Sequence, residues 1–367
     1  MGMYDVVVLG AGPGGSAAAR RCAMNGLKTL LIEKQTLPRD KVCTGMIMAV
    51  GSVWAERAFG APVPESVLTI PHYDGVMVIV PGVGQREVKV DIPHGYRREM
   101  DQWMTDRAVS AGVEVWDGAR VTSFDIQPEG SSLVVKRGGN EEPLRTRYLI
   151  GADGVNSPLR KALFPDLKVR LTQAIQEVHR GELALSKRHF NCFVWREISP
   201  VFWDASYKGN DEFVIEGGAR VGDLQAGMRF FKDLLERDHG FQRDSKPEKV
   251  LACTEPILFG DLIGGRFRPA IGNALLVGDA AGLMTPITAE GIGNALKSGV
   301  FAADAIAESI ARAQQAAPIY LDAIQTIIDQ NREPYAMLKS AINEREGDQE
   351  VMLDRLAEYW KRSWVCA

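Results

Sequence analysis

Residues 4–9, "YDVVVL", are a nearly continuous apolar run, and "GAGPGG" follows at once. A strand with apolar side chains on both faces belongs inside a parallel sheet covered by helices above and below. The next segment, "SAAARRCAMNGL", is built from helix formers and stops at Gly26, and "KTLLIEK" then reads as a second buried strand. Within this βαβ unit Gly10, Gly12 and Gly15 satisfy G-x-G-x-x-G, and Glu33 closes the second strand about 20 residues on. Gly10 permits the tight turn, Gly12 lets the backbone approach a pyrophosphate, and Gly15 lets the helix pack closely on the strand. Free N–H groups and the positive dipole end of the helix suit phosphate, while Glu33 suits ribose hydroxyls. The unit predicts a dinucleotide site in a Rossmann-like α/β domain, and it leaves FAD and NAD both open.

At 367 residues the chain exceeds a single comfortable core, so two lobes or one discontinuous domain are expected. A net charge of −4 with interleaved signs points to no nucleic-acid partner. Five cysteines (Cys22, Cys43, Cys192, Cys253 and Cys366) are odd in number and form no C-x-x-C, so neither a disulfide framework nor a metal site is expected. Reduced thiols, the lack of a spanning apolar run, of a basic leader and of a lipidation signal make the cytoplasm the default location. His179 and His189 are candidates for acid–base work or for structural roles, and no nucleophile elbow occurs.

Two further stretches repeat the pattern of strand, glycine, acid and helix. "RYLIGADGVNSPLR" (147–160) carries Asp153 and Gly154 after a strand, with Ser157 and Arg160 opening a helix. "ALLVGDAAGLMTPITAEGIGNAL" (274–296) carries Gly278 and Asp279 after a strand; Pro286 breaks the chain, and Gly291 opens another helix. The three motifs, in this order, resemble the para-hydroxybenzoate hydroxylase class of flavoproteins, in which they wrap one FAD. The resemblance implies that Asp279 bonds the ribityl and pyrophosphate region, and that Gly291, Ile292 and Gly293 present backbone N–H groups near the flavin pyrimidine edge. It also implies that Arg97 contacts FAD phosphate, with Arg98 one position away, and that the Val121 backbone meets the adenine.

Inside that class "PRDKVCTG" (38–45) resembles the "PRxKxCGG" segment of the geranylgeranyl reductase family, whose members use reduced FAD to saturate isoprenoid double bonds. By that resemblance Cys43 comes close to the flavin ring as a proton donor, with a small buried hydrophobe as the alternative. The chain departs from the family at Thr44, and again where the family carries the lipid-channel motif YxWxFPK. Here the stretch reads "PVFWDASYKG", in which Trp203 matches and the FP pair is absent.

The expected division assigns 1–70, 93–165 and 266–300 to FAD binding, and 71–92 and 166–265 to a discontinuous α+β substrate lobe. Residues 301–367 have helical periodicity and are expected to pack on the FAD domain. Aromatics concentrate in the second lobe, where Trp195 and Trp203 are candidates for a substrate wall. Trp360 and Trp364 beside Lys361 and Arg362 suit a packed terminal helix, a peripheral membrane contact or a partner contact. One G-x-G-x-x-G leaves the electrons to come from NAD(P)H docking transiently or from a protein carrier. The expected activity is an FAD-dependent oxidoreductase that passes hydride from flavin N5 to a carbon–carbon double bond of an apolar substrate. The alternatives are a monooxygenase or halogenase acting on an aromatic or protein-bound substrate, and a flavin-binding maturation factor acting on a protein partner. The absence of a clear WxWxIP segment counts against the halogenase.

Overall fold

A computed structural model describes residues 2–69, 72–194, 203–209, 211–220, 223–343 and 349–365. The first βαβ unit consists of β1 (Gly2–Leu9), α1 (Pro13–Met24) and β2 (Thr29–Ile32), followed by α2 (Ala49–Phe59). β3 (Tyr73–Val80) and β4 (Gly84–Ile92) form a hairpin, and α3 (Arg97–Val109) leads to β5 (Glu114–Trp116). Then come β6 (Ala119–Gln127), β7 (Gly130–Arg137), β8 (Asn140–Gly151) and α4 (Pro158–Leu163). A strand-rich stretch follows with β9 (Arg170–Arg180), β10 (His189–Phe193), β11 (Trp203–Tyr207), β12 (Glu212–Arg220), α5 (Leu224–His239) and β13 (Lys249–Ile257). α6 (Phe259–Ile263), β14 (Ala270–Ile271) and β15 (Ala274–Leu276) return the chain to the first sheet. The end is helical, with α7 (Ile292–Arg312), α8 (Ala316–Ala323), α9 (Gln325–Gln330), α10 (Arg332–Asn343) and α11 (Gln349–Val365).

The strands sort into two sheets. The first runs β14-β15-β8-β1-β2-β5, and β6 and β7 extend it from β8. β1 lies parallel to both β2 and β8, which explains its apolar run: Val6, Val7 and Val8 are fully buried from both sides. This arrangement is the Rossmann-like α/β layer that the first motif predicts. Every glycine-bearing turn of the three motifs leaves the carboxyl end of a strand in this sheet, the edge at which such sheets bind ligands.

The second sheet runs β13-β9-β12-β11-β10-β3-β4. Its outer face is covered by α5, whose Met228, Phe231, Leu234 and Leu235 pack against Ile215, Phe193 and Trp203. Its inner face turns toward residues 41–48, since Gln176 on β9 donates to the Cys43 carbonyl at 3.1 Å.

The C-terminal helices divide between the two sheets instead of staying on the first. α8 supplies Ala316, Ala317 and Tyr320 to the first core, whereas α11 lies on β3 and β4. Leu353 and Trp360 are buried there against Val76, Val78 and Val88, and the Trp360 ring meets Phe190 at 5.9 Å. The hairpin is apolar on that face, and burying it accounts for where the helix docks. Trp360 is thus a packed residue, 1% exposed.

Candidate functional site

The first βα turn is pinched from both sides. Gly10 adopts a left-handed φ of 97°, and a Cβ there would stand 2.3 Å from the Ala152 carbonyl oxygen on the turn after β8. A Cβ on Gly15 would lie 1.8 Å from the Gly10 carbonyl oxygen, so α1 reaches the strand only with glycine at that position. Gly12 differs, because a Cβ there would find only the tips of Arg39 and Arg97, at 3.7 and 3.9 Å. The space above Gly12 is therefore a cradle walled by two guanidinium groups at a helix N-terminus, which suits a pyrophosphate.

Arg97 and Arg39 are both held in place by carboxylates. Arg97 opens α3 and is buried, whereas Arg98 is exposed. Its Nε and Nη2 donate to the two carboxylate oxygens of Asp101, at 2.7 and 2.9 Å. Burial opposes the charge on Arg97, but Asp101 and Cys43 beside it hold the guanidinium protonated. Arg39 donates to Asp101 at 2.9 Å and pairs with Glu33 at 3.2 Å. Glu33 also accepts from the Ala11 and Gln35 backbone N–H groups, both at 3.0 Å, so it braces the turn as well as standing where a ribose would lie. Val121 is half-buried on β6, two residues past Ala119, whose N–H donates to the Glu33 carbonyl.

Asp153 and Gly154 form the turn after β8, against Gly10. Asp153 Oδ2 accepts from the Leu159 N–H at 3.2 Å, while Oδ1 is buried without a hydrogen-bond partner. Burial pushes this carboxyl up, as expected for an acceptor short of donors. Ser157 caps α4 and positions Arg160, which donates to the Ala280 carbonyl at 2.9 Å and so ties this turn to the one after β15. On that last turn the Asp279 Oδ2 pairs with Lys41 at 3.1 Å, and Lys41 holds the carboxyl below the usual carboxylate range. Pro286 is buried, and Gly291 precedes α7 with its Cα side close to Asp279: a Cβ there would be 3.3 Å from Oδ1. Ile292 is the first residue of α7 and is buried.

Between these turns and the second sheet lies the segment with Cys43. Gly45, at φ 72°, presses against Gly95 so closely that a Cβ would sit 1.8 Å from its carbonyl oxygen. The Gly45 N–H points at the Cys43 sulfur, 3.4 Å away. Lys208 donates to the Thr44 carbonyl and Gln176 to that of Cys43. Cys43 is half-buried.

The inner face of the second sheet under this segment is polar. Strand pairing aligns Gln176, Glu216, Asp204 and Cys192 in one row across β9, β12, β11 and β10. Burial, and then Glu216, push the Asp204 carboxyl well up; burial likewise raises Glu216 and pulls Lys208 down. Nearer the first sheet, Cys253 and Glu255 on β13 share this face with Ala174 and Thr172. Burial, and then Asp279, push Glu255 up to about 7.

Trp203 corrects the expected substrate wall. Side chains alternate along β11, so Asp204 faces inward and Trp203 faces α5. Its indole lies over Gly217, the residue opposite, where a Cβ would come within 2.2 Å of the ring, and it packs on Phe231 at 5.6 Å. Trp195 lies outside the described residues. His179 also sits on the outer face, bonded to Glu177 at 2.9 Å, and His189 bonds Glu87 at 3.1 Å near the sheet edge, so neither accompanies Cys43. The sequence reading missed Arg39, Lys41, Asp204, Glu216, Glu255 and Glu290; for Arg39 and Lys41 the signal was present in the quoted "PRDKVCTG".

A cradle that a Cβ would fill, an orphaned buried carboxylate oxygen and two held guanidinium groups fit a dinucleotide with a pyrophosphate. Residues 3–202 match the FAD binding domain family. The chain belongs to that family. FAD is its cofactor, and its class of activity is oxidoreduction. Among curated proteins, the digeranylgeranylglycerophospholipid reductase of Methanococcus vannielii is 29% identical over 321 residues, covering 84% of this chain and 77% of the relative. Protein CbrA of Escherichia coli is 28% identical over 318 residues, covering 80% of this chain and 82% of the relative. Among solved structures, a geranylgeranyl bacteriochlorophyll reductase-like protein from Thermoplasma acidophilum superposes with a TM-score of 0.79 at 19% identity, covering 98% of this chain and 92% of the other. The myxobacterial chondrochloren halogenase CndH superposes with a TM-score of 0.76 at 14% identity, covering 99% and 91%. These two likenesses concern the fold. No helix among the described residues is long and apolar enough to cross a membrane.

Proposed function

We propose that this FAD-dependent oxidoreductase reduces a carbon–carbon double bond in an apolar, lipid-type substrate. The observation that carries the reading is the placement of Cys43, fixed between the dinucleotide turns and the inner face of the second sheet by Gln176, Lys208 and the Gly45–Gly95 contact. Similarity to a digeranylgeranylglycerophospholipid reductase over most of both chains supports it.

Bound FAD supplies a two-electron hydride donor. In this reading Gly10, Gly12 and Gly15 hold the pyrophosphate at the start of α1, with Arg97 and Arg39 neutralising it. Glu33 receives the ribose, Val121 meets the adenine through its backbone, and Asp153, Gly154, Gly278 and Asp279 line the middle of the groove. Pro286 turns the chain ahead of Gly291 and Ile292, and the α7 N-terminus they open would suit negative charge on the ring of a bound flavin. Cys43, which stands beside Arg97, delivers the proton that must reach the second alkene carbon. The electrons come from NAD(P)H docking transiently or from a protein carrier.

The test is anaerobic reduction of the purified holoprotein followed by addition of an isoprenoid lipid. Reoxidation that depends on the lipid, with a product two hydrogens heavier, is expected. Reoxidation that occurs only with oxygen and inserts an oxygen atom into an added compound would overturn the reading. Cys43→Ser should keep FAD content and melting temperature while turnover falls and its pH profile moves, because a hydroxyl is a far weaker acid than a thiol of pKa about 8.5. Unchanged turnover would assign Cys43 to packing.

A further inference from the structure

The turn between Pro286 and α7 contains a carboxylate that the reading above does not use. Ala289 adopts a left-handed φ of 51°, and the chain folds back so that Glu290 Oε1 accepts the Gly293 N–H at 2.6 Å. The Glu290 carbonyl accepts from the Thr285 N–H at 2.9 Å, which closes the turn. Glu290 thus lies across the opening of a 21-residue helix, occupying one of the donors that a helix N-terminus presents to an anion.

The order of groups along the groove says what anion that is. Glu33 marks one end; Gly12, Arg39 and Arg97 follow; Asp279 with Lys41 comes next, and Gly291 stands against Asp279. A dinucleotide laid along this path with its pyrophosphate at Gly12 would reach with its isoalloxazine ring past Asp279 toward the start of α7. Two-electron reduction with uptake of one proton leaves a negative charge on that ring.

Among the described residues, the groups facing Glu290 come from three elements. Asp279 approaches from the turn after β15 with its partner Lys41, and Tyr359 approaches from α11 with a hydroxyl that burial keeps protonated. α2 contributes Val50 and the backbone of Gly51, which crowd Gly293. Burial, and then Asp279, push the Glu290 carboxyl up to about 7 in spite of the Gly293 N–H, which favours the ionised form. A new negative charge close to such a group would raise its proton affinity by on the order of tenfold or more.

We propose that Glu290, which lies across the start of α7, is the proton partner of flavin reduction, taking a proton from solvent when the ring is reduced. Two electrons from an external donor and one proton convert the oxidised ring to its reduced anion. A second proton converts the Glu290 carboxylate to the acid, so the local charge stays at −1 instead of falling to −2. The proposal rests on FAD binding alone and not on the alkene-reductase reading.

The test is the midpoint potential of the holoprotein as a function of pH, with dithionite as reductant and no substrate present. In the wild type the potential should fall with one proton per two electrons below about 7. Above that pH the slope should double, each proton adding about 30 mV per pH unit for a two-electron couple. Glu290→Gln, which mimics the protonated acid, should keep the single slope throughout and lie above the wild type at alkaline pH. Identical curves for the two proteins would overturn the proposal. If the glutamine variant does not retain FAD, Glu290→Asp decides: a break in slope that moves to a different pH supports the proposal, and an unmoved break overturns it. Infrared difference spectra of the wild type give an independent readout. Reduction above neutral pH should produce a protonated carboxyl band, and its absence would refute the linkage.

Discussion

Alanine at Gly15 and alanine at Gly12 should separate folding from cofactor binding, although the two residues are neighbours in one turn. A Cβ on Gly15 would stand 1.8 Å from the Gly10 carbonyl oxygen and 3.1 Å from the Ala152 Cβ. Relief requires moving α1 or the Gly10 peptide by more than an ångström, and Gly10 has nowhere to go. Its N–H is bonded to the Ile32 carbonyl at 2.7 Å, and its other side abuts the Ala152 carbonyl. Overpacking of this kind costs about 1–3 kcal/mol, and the blocked retreat puts Gly15→Ala at about 3 kcal/mol. At Gly12 the added methyl has 3.7 Å of clearance, so the apoprotein should melt within about 0.5 kcal/mol of wild type. The methyl would instead occupy the cradle between Arg39 and Arg97. Losing one or two charge-assisted hydrogen bonds there, at about 1.5–3 kcal/mol each, should weaken FAD at least about tenfold. Thermal melting of both apoproteins and fluorescence titration with FAD measure the two quantities. A Gly15→Ala apoprotein as stable as wild type, or a Gly12→Ala protein that binds FAD normally, would refute the assignment of packing to one glycine and pyrophosphate to the other.

Trp203→Ala should destabilise the second sheet by about 3–5 kcal/mol, since it empties the space over Gly217 beneath α5, yet leave the FAD affinity of the folded protein unchanged; denaturant unfolding and FAD titration check both. Glu255 binds a proton more tightly folded than unfolded, so its contribution is present below the ordinary value of 4.5 and is lost as pH rises to about 7. Glu255→Gln should therefore gain melting temperature relative to wild type across that interval and hold a constant advantage above it. An advantage that does not vary with pH would place Glu255 in solvent.

The three glycine–acid turns were legible in the sequence because each is a local device. A buried strand declares itself by an apolar run, a tight turn by glycine, and a helix start by the residues that follow, all within about 30 residues. The order of those turns named the cofactor through the resemblance to one class of flavoproteins that it carries. The catalytic side was not legible in the same way. Trp203 and Asp204 are adjacent in sequence and point to opposite faces of β11, and nothing local says which face meets α5 and which meets Cys43. That choice belongs to the packing of α5, because a period-two strand inverts all its side chains if it turns over.

The acids follow the same rule. Glu33 was identified from its distance to the glycines, whereas Glu255 and Glu290 look like any other glutamates in the sequence. They differ because the fold buries them beside Asp279, and a carboxyl's proton affinity is set by its distance from water and from other charges. The same holds for the C-terminal helices, whose periodicity gave their existence but not their partner, since an apolar stripe fits any apolar face that is left uncovered. The sequence by itself determined the glycine-bearing turns at the strand ends, through the left-handed backbone at Gly10 and the close approach at Gly15 that leaves no room for a Cβ. The tertiary structure decided which side chains gather between those turns and the second sheet, because that depends on burial and on neighbours more than a hundred residues away, as between Gln176 and Cys43 or Lys41 and Asp279.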